Sequence, residues 1–244
     1  MFYMKILCII PIFNEEKRLR LLLDEIEKFQ KTDHNKVDFL LINNGSTDKS
    51  AEIINSFKFQ AVKLKKNKGI GYAFLLGLKF AKSKNYDVLI HMAGNFKMSP
   101  FDIPNVLSPI LTKDIDYVSG TRFVEKENYK NNPLFRKISI KILSIFFSIL
   151  FKRKITDATC GFRAFKINKI IKYFSLFNKK KYYSYGYEYY SYGKILLSNK
   201  IKSCEANVKM NYPKEGKYSK IRPVIDWIPI IGGYFKALLE KKID

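Results

Sequence analysis

Apolar positions along the chain follow two alternating patterns. Met4 to Ile10 is a near-continuous apolar run broken only by Lys5, as expected of a strand buried on both faces, and Pro11 is predicted to end it. From Glu15 the period changes: Leu19, Leu22, Leu23, Ile26 and Phe29 recur at helical spacing with charges between them. Val37 to Ile42 predicts a second buried strand. The turn Asn43 to Asp48 follows, with Ser46, Thr47 or Asp48 suited to cap a helix carrying Ile53, Ile54 and Phe57. Ala61 to Leu64 reads as a third strand, Gly69-x-Gly71 as the start of a helix, Tyr86 to Met92 as a fourth strand and Asp116 to Ser119 as a fifth. Strands alternating with helices through short loops predict an α/β fold with a mostly parallel central sheet flanked by helices.

In such sheets ligands sit beyond the carboxyl ends of the strands. The loop Ala93-Gly94-Asn95, which follows the fourth strand, is therefore a candidate site. A plain turn leading to Pro100 and a helix from Asp102 is the alternative. Gly69-x-Gly71 is either a turn or a phosphate cradle, because it lacks the rest of the dinucleotide fingerprint.

From about residue 122 the alternation breaks down. Pro133 to Phe151 predicts a helix with an apolar face of Ile138, Ile142, Ile145, Phe146, Ile149 and Leu150. Lys137 and Lys141 lie at its start, and Lys152-Arg153-Lys154 follow it. Two readings stand: an ordinary core helix, or an element lying in a membrane interface. The Tyr-rich segment 182–192 suits either stacking on sugars or bases, or helix packing. Lys179 to Lys181 reads as a solvated loop and Ile201 to Met210 as a strand. Trp227, Tyr234 and Phe235 are candidate interface anchors.

Composition narrows the partners. Hydrophobic residues make up 47% of 244, enough for a sizeable core and too many for a disordered chain. Lys plus Arg number 45 against 22 Asp plus Glu, a net charge of +23. That excess favours anionic partners such as nucleotides, phosphate groups, nucleic acid or an acidic membrane surface, although a Lys-rich coding bias also contributes to such a count. Cys8, Cys160 and Cys204 stand far apart without zinc-ligand spacing, which predicts buried thiols in a reducing compartment. No secretory signal opens the chain, and no apolar run reaches the roughly 18 residues of a membrane span.

Several motifs then occur in a characteristic order. They are Ile10-Pro11-Ile12-Phe13-Asn14-Glu15, Asn44-Gly45-Ser46-Thr47-Asp48, and Asn67-Lys68-Gly69-x-Gly71-Tyr72-Ala73. Ser119-Gly120-Thr121-Arg122-Phe123, Thr156 to Ala164, and Tyr218-Ser219-Lys220-Ile221-Arg222-Pro223 complete the set. The ordered set resembles family 2 glycosyltransferases, and within them the dolichyl- and polyprenyl-phosphate sugar synthases. The resemblance implies a GT-A fold: one domain over 1–244, with a Rossmann-like half (1–121) for a nucleoside-diphosphate sugar and an acceptor half (122–244). It assigns donor binding to Pro11, Asn14, Glu15 and Asn44, to the loop Ala93, Gly94 and Asn95, and to Lys220 and Arg222. Glu15 also fits a helix-start charge with no ligand.

At the fourth strand the chain departs from the family. Relatives there carry Asp-x-Asp, often with a Gln two residues later, and these hold the Mg²⁺ or Mn²⁺ that neutralises the donor diphosphate. Here the Asp positions are Ala93 and Asn95, and the Gln position is Lys97. Ala offers no ligand atom and Asn only a neutral oxygen, a weak ligand for a hard cation. Dependence on Mg²⁺ or Mn²⁺ is expected to be weakened or absent, with Asn95 the remaining metal ligand. Lys97 would supply fixed positive charge, helped by Arg122, Lys220 and Arg222. His91 reads as a core residue or one behind the site.

Asp157 is the candidate group facing the acceptor: a base for a hydroxyl acceptor, a positioning group for a phosphate acceptor, or a turn cap. Arg163 is expected to pair with Asp157 or a phosphate, and Glu188 to lie on the acceptor side. The implied activity is inverting sugar transfer to a membrane-associated acceptor by a peripheral enzyme at the cytoplasmic face of the cell membrane. A polyprenyl phosphate and a growing surface glycan (polysaccharide or lipopolysaccharide) are the two acceptor classes. On that reading no nucleic acid is bound. A non-catalytic protein binding anions or nucleic acid is the reading from another class.

Overall fold

The computed structural model describes residues 4–32, 36–123, 134–178, 186–212 and 227–240. Lys220, Arg222, their motif and the run Lys179 to Lys181 lie outside these.

The predicted alternation forms one seven-stranded sheet of order β3-β2-β1-β4-β6-β5-β7. The strands are β1 (Ile6–Ile12), β2 (Val37–Asn43), β3 (Gln60–Lys63), β4 (Val88–His91), β5 (Tyr117–Thr121), β6 (Arg163–Lys166) and β7 (Ser203–Asn207). The β3-β2-β1-β4 block is parallel throughout, and β5 pairs parallel with β7. β6 runs antiparallel between β4 and β5, so a strand from the second half of the chain is built into the centre of the sheet.

The sequence reading ends β1 at Pro11, but the strand continues to Ile12. Successive strand residues face alternate neighbours. Ile9 O accepts Met92 N (3.1 Å) on the β4 side, and Ile12 O accepts Asn44 N (2.8 Å) on the β2 side. Pro11 therefore faces the β4 side beyond His91, where the ladder has ended, and its missing N–H leaves no bond unmade.

Because both sheet faces are covered, alternate residues of each strand enter different cores. Leu7, Ile9, Leu40, Ile42 and Leu89 join one cluster with α3 (Ile70–Ser83), α5 (Leu134–Phe151), α7 (Gly186–Leu197) and α8 (Trp227–Leu239). Cys8, Ile10, Leu41 and Ile90 join the other with α1 (Glu16–Gln30), α2 (Ser50–Asn55) and α4 (Ile103–Thr112). The short α6 (Ile167–Ile170) follows β6 directly. Tyr187, Tyr189, Tyr190 and Tyr192 are all buried packing residues, and Tyr189 also lines the cleft described below.

The turn after β2 secures more than its own helix. Asn14 N donates to Ser46 Oγ (3.1 Å), Glu15 N to Ser50 Oγ (2.8 Å) and Glu16 N to Asp48 Oδ2 (3.0 Å). In return Glu16 Oε2 accepts Lys49 N (3.1 Å), and Asp48 Oδ1 accepts Ser50 N (2.9 Å). The first turns of α1 and α2 thus satisfy each other's unpaired N–H groups, which fixes the ends of β1 and β2 side by side.

α5 buries Ile140, Ser144, Phe147 and Phe151. The apolar face read from the sequence, Ile138 to Leu150, is the exposed one: Ile142 is 63%, Ile145 62% and Ile149 71% exposed. On α8, Ile228 (69%), Phe235 (40%) and Leu239 (86%) are also exposed. Phe146 and Phe235 meet with ring centroids 6.0 Å apart, joining the two helices' outer apolar faces. Of the proposed anchors, Tyr234 does not qualify. It is fully buried and donates its hydroxyl to Ala158 O (2.8 Å), whereas Trp227 and Phe235 are exposed. Among the described residues no helix is long and apolar enough to cross a membrane.

Candidate functional site

A cleft of about 400 Å³ lies across the carboxyl ends of β1, β2 and β4. Pro11, Glu15, Asn44, Ala93, Gly94, Asn95 and Lys97, all predicted from the sequence, line it. Asn14 does not. Its backbone is left-handed (φ 52°), and its side-chain Oδ1 accepts Thr47 N (2.8 Å), so it ties two loops together instead of facing the cleft. Asn44 is 3% exposed and its amide is committed: Nδ2 donates to Asn67 Oδ1 (3.1 Å), and Oδ1 accepts Lys68 N (3.1 Å). It holds the loop before α3 at the cleft edge. Gly45 (φ 71°) is obligatory there, since a Cβ would lie 2.3 Å from the Lys66 backbone.

The loop after β4 lies against β1. A Cβ on Gly94 would lie 2.8 Å from Ile12 Cγ1 and 2.9 Å from Pro11 O. Asn95 Oδ1 accepts Lys97 N (3.2 Å), Phe96 is left-handed (φ 56°), and Lys97 O accepts Asn211 N (2.8 Å). Burial, then the nearby Arg136 cation, pushes the Lys97 ammonium down to about 7, with Glu15 opposing.

Arg122 and Asp157 form a closed unit. Asp157 is fully buried; its Oδ2 accepts Arg122 Nε (2.5 Å) and its Oδ1 accepts Arg122 Nη2 (2.6 Å). Arg122 also donates from Nη1 to Tyr212 (2.5 Å) and from Nη2 to Thr159 (2.7 Å). Burial opposes ionisation of Asp157, but the guanidinium outweighs it and holds the carboxyl below its usual range. Glu205 accepts Thr156 N (2.9 Å) and Asp157 N (3.2 Å), while Ser144 of α5 accepts Ala158 N (2.9 Å). These contacts correct the sequence reading. Asp157 does not line the cleft, and Arg122, which does, has each guanidinium nitrogen already donating.

Arg163 does not pair with Asp157. Its Nε donates to Glu188 Oε1 (2.8 Å) and its Nη1 to Tyr117 (2.6 Å), and the guanidinium lies 4.4 Å from the Tyr192 ring centre. Glu188, held in α7, reaches the cleft beside Gly161. Burial raises its carboxyl above the usual range despite Arg163. His91, at the end of β4, also lines the cleft and is held down at about 3 by burial and Arg163, so it is neutral.

The sequence reading missed Asn67, Arg136 and Tyr212, which also line the cleft. Arg136, a cation in the first turn of a helix whose other residues are mostly apolar, carried a legible signal. Tyr212 carried none.

A divalent cation does not fit these residues. Among those described, no three His, Cys, Asp or Glu side chains gather as ligands. Asn95 Oδ1 closes its own loop, Glu188 is bound to Arg163, and Lys97 and Arg136 place positive charge in the cleft.

The glycosyl transferase family 2 model matches residues 7–174. A UDP-N-acetylglucosamine–dolichyl-phosphate N-acetylglucosaminyltransferase from Methanococcus voltae is 29% identical over 64% of this chain and 67% of its own length. An undecaprenyl-phosphate 4-deoxy-4-formamido-L-arabinose transferase from Photorhabdus laumondii is 30% identical over 66% of this chain and 49% of its own. Glucosyl-3-phosphoglycerate synthase from Mycobacterium tuberculosis, solved with Mn²⁺, UDP and phosphoglyceric acid, superposes with TM-score 0.70 at 14% identity, over 98% of this chain and 80% of that one. That superposition shows the GT-A fold. Since the family match runs from β1 past β6 and takes in most of the residues that line the cleft, the chain belongs to glycosyl transferase family 2.

Proposed function

We propose that the protein transfers a sugar, with inversion, from a nucleoside diphosphate to a lipid phosphate at a membrane surface. The observation that carries this is the position of Arg136. It lines the cleft from the first turn of α5, the helix whose outer face is apolar and exposed. An acceptor phosphate at Arg136 would leave its hydrocarbon tail free to run along α5 and α8.

The base and ribose of the donor would occupy the end near Pro11, Glu15 and Asn67, with the diphosphate toward Asn95 and Lys97. An acceptor phosphate oxygen attacks the anomeric carbon from the side opposite the diphosphate. The bond from that carbon to the diphosphate oxygen breaks, and its electron pair leaves with the nucleoside diphosphate. Positive charge beside the leaving group stabilises the charge that develops there. A phosphate acceptor is already an anion and needs no base, which agrees with a cleft whose carboxylate Glu188 is bound to Arg163 and whose other carboxylate, Glu15, stands at the end assigned to the donor base and ribose. A surface glycan hydroxyl would need that base and is the less favoured acceptor. Asp157 then positions Arg122, the segment around Thr159 and Tyr212. The relatives that act on dolichyl and undecaprenyl phosphates support the lipid acceptor.

The outer faces of α5 and α8, with Lys137, Lys141 and the run Lys152 to Lys154 nearby, suit an anionic bilayer. Each basic residue near such a surface adds about 1 kcal/mol of attraction. The protein would then act peripherally at the inner membrane face.

A second reading is favoured by the cationic lining alone: a soluble phosphate ester would bind at Arg136 equally well. Initial rates with undecaprenyl phosphate in vesicles and with 3-phosphoglycerate, across UDP-, GDP- and dTDP-sugars, separate the two. Transfer to the lipid alone supports the proposal. Transfer to 3-phosphoglycerate alone supports the second reading, and turnover with neither contradicts both.

A further inference from the structure

We propose that Lys97 takes the place of the divalent cation in this chain, so that the diphosphate of the donor is bound by a side-chain ammonium and donor binding needs no metal. This deepens the donor reading above and rests on it.

Three features support it. First, the ligand set is missing. Ala93 has no ligand atom, and the one side-chain oxygen of Asn95 accepts the N–H of Lys97 at 3.2 Å. Second, the loop is built to hold Lys97 in place. That same bond fixes its N–H, Asn211 N donates to its carbonyl at 2.8 Å, and Met98 bridges Met210 immediately after it. Between Asn95 and Lys97, Phe96 adopts a left-handed backbone (φ 56°) and packs against the core. A non-glycine residue in that region is strained, and such strain persists only where the surrounding structure enforces it. Third, the chain puts a cation in the cleft. Lys97 lines it and forms no ion pair among the described residues, Glu15 is the carboxylate whose charge favours its ammonium, and its Nζ lies 5.9 Å from the Tyr212 ring centre. Arg136 lines the same cleft. A desolvated cation with another cation nearby suits a polyanion.

The ammonium would sit against the diphosphate oxygens before transfer and stay with the departing nucleoside diphosphate afterwards. It makes and breaks no covalent bond. Asp-x-Asp sites bring a cation with the donor; this one carries its cation in the chain.

The test is calorimetric titration of the full chain with UDP, GDP and dTDP, in EDTA and then in Mn²⁺. At least one nucleotide is expected to bind in EDTA, with little change on adding Mn²⁺. Lys97→Met should weaken that binding about 10- to 100-fold, the range for a charge-assisted hydrogen bond, and Lys97→Arg should keep most of it. Both variants leave the backbone bonds of residue 97 in place, and unchanged thermal unfolding checks this. The triple change Ala93→Asp, Asn95→Asp, Lys97→Gln should make binding require Mn²⁺. Wild-type binding seen only with Mn²⁺, or Lys97→Met binding like wild type in EDTA, overturns the inference while leaving the donor reading standing. Binding of no nucleotide under either condition overturns the donor reading and the inference with it.

Discussion

Replacing Asp157 by Asn changes one oxygen to an amide nitrogen and removes one charge from a buried site. Arg122 and Asp157 are 1% and 0% exposed and joined by two parallel bonds of 2.5 and 2.6 Å. Asp157 Oδ1 also accepts Thr159 N (3.1 Å) and Oδ2 accepts Arg122 N (3.3 Å), so either placement of the new NH₂ points donors at donors. Breaking a buried pair by neutralising one partner costs about 3–5 kcal/mol, because the remaining charge is left uncompensated. For a chain of this length each kcal/mol lowers the melting temperature by about 2–4 °C, so the variant should melt about 6–20 °C lower. The pH dependence follows from the sign of the shift. The folded carboxyl is held below its ordinary value, so its stabilisation is complete above the unfolded pKa of about 3.9 and is lost as pH falls through the folded value. The gap between wild type and Asp157→Asn should therefore be flat from about pH 7 to pH 5 and close below that. Urea titrations followed by circular dichroism at several pH values measure it. A variant as stable as wild type yet unable to transfer sugar would refute the structural role and return Asp157 to the chemistry.

Two further changes probe the other parts of the account. Ile145→Asp with Ile149→Asp, both on the exposed face of α5, should lower co-sedimentation with phosphatidylglycerol vesicles at low salt while leaving the melting temperature unchanged; unaltered vesicle binding would remove the docking face. Gly94→Ala forces a methyl into 2.8–2.9 Å contact with Ile12 and Pro11. It should destabilise the fold by about 1–3 kcal/mol, as overpacking does, and weaken nucleotide binding by shifting the Lys97 loop. Wild-type affinity in that variant would mean that the loop does not hold the donor.

The strands of the first half, and the loops that line the cleft, were legible because apolar period and turn chemistry are local. What escaped was set by contacts distant in sequence. β6 is four residues long; its place between β4 and β5 depends on partners some 45 to 80 positions away, and no local pattern announces it. Asp157 reads as a reactive carboxylate from its motif. Only the fold reveals that Arg122, 35 residues earlier, closes over it. Arg163 likewise finds Glu188 and Tyr117, not Asp157, because β6 aims it toward α7. On α5 the helix itself was legible, but apolar spacing does not say which of two apolar faces the core takes. The buried face is the one whose Ile140, Phe147 and Phe151 meet the core and whose Ser144 and Ser148 bond to the 155–158 segment. Pro11 was misjudged for a related reason: whether a proline ends a strand depends on whether a neighbour still runs alongside.

The most direct measurement of the central claim is mass spectrometry and anomeric NMR of the lipid recovered after incubating the protein with undecaprenyl phosphate and each nucleotide sugar. The account predicts the lipid phosphate plus one sugar, with the anomeric configuration opposite to that of the donor. An unmodified lipid with every donor, or a product retaining the donor's configuration, would contradict it.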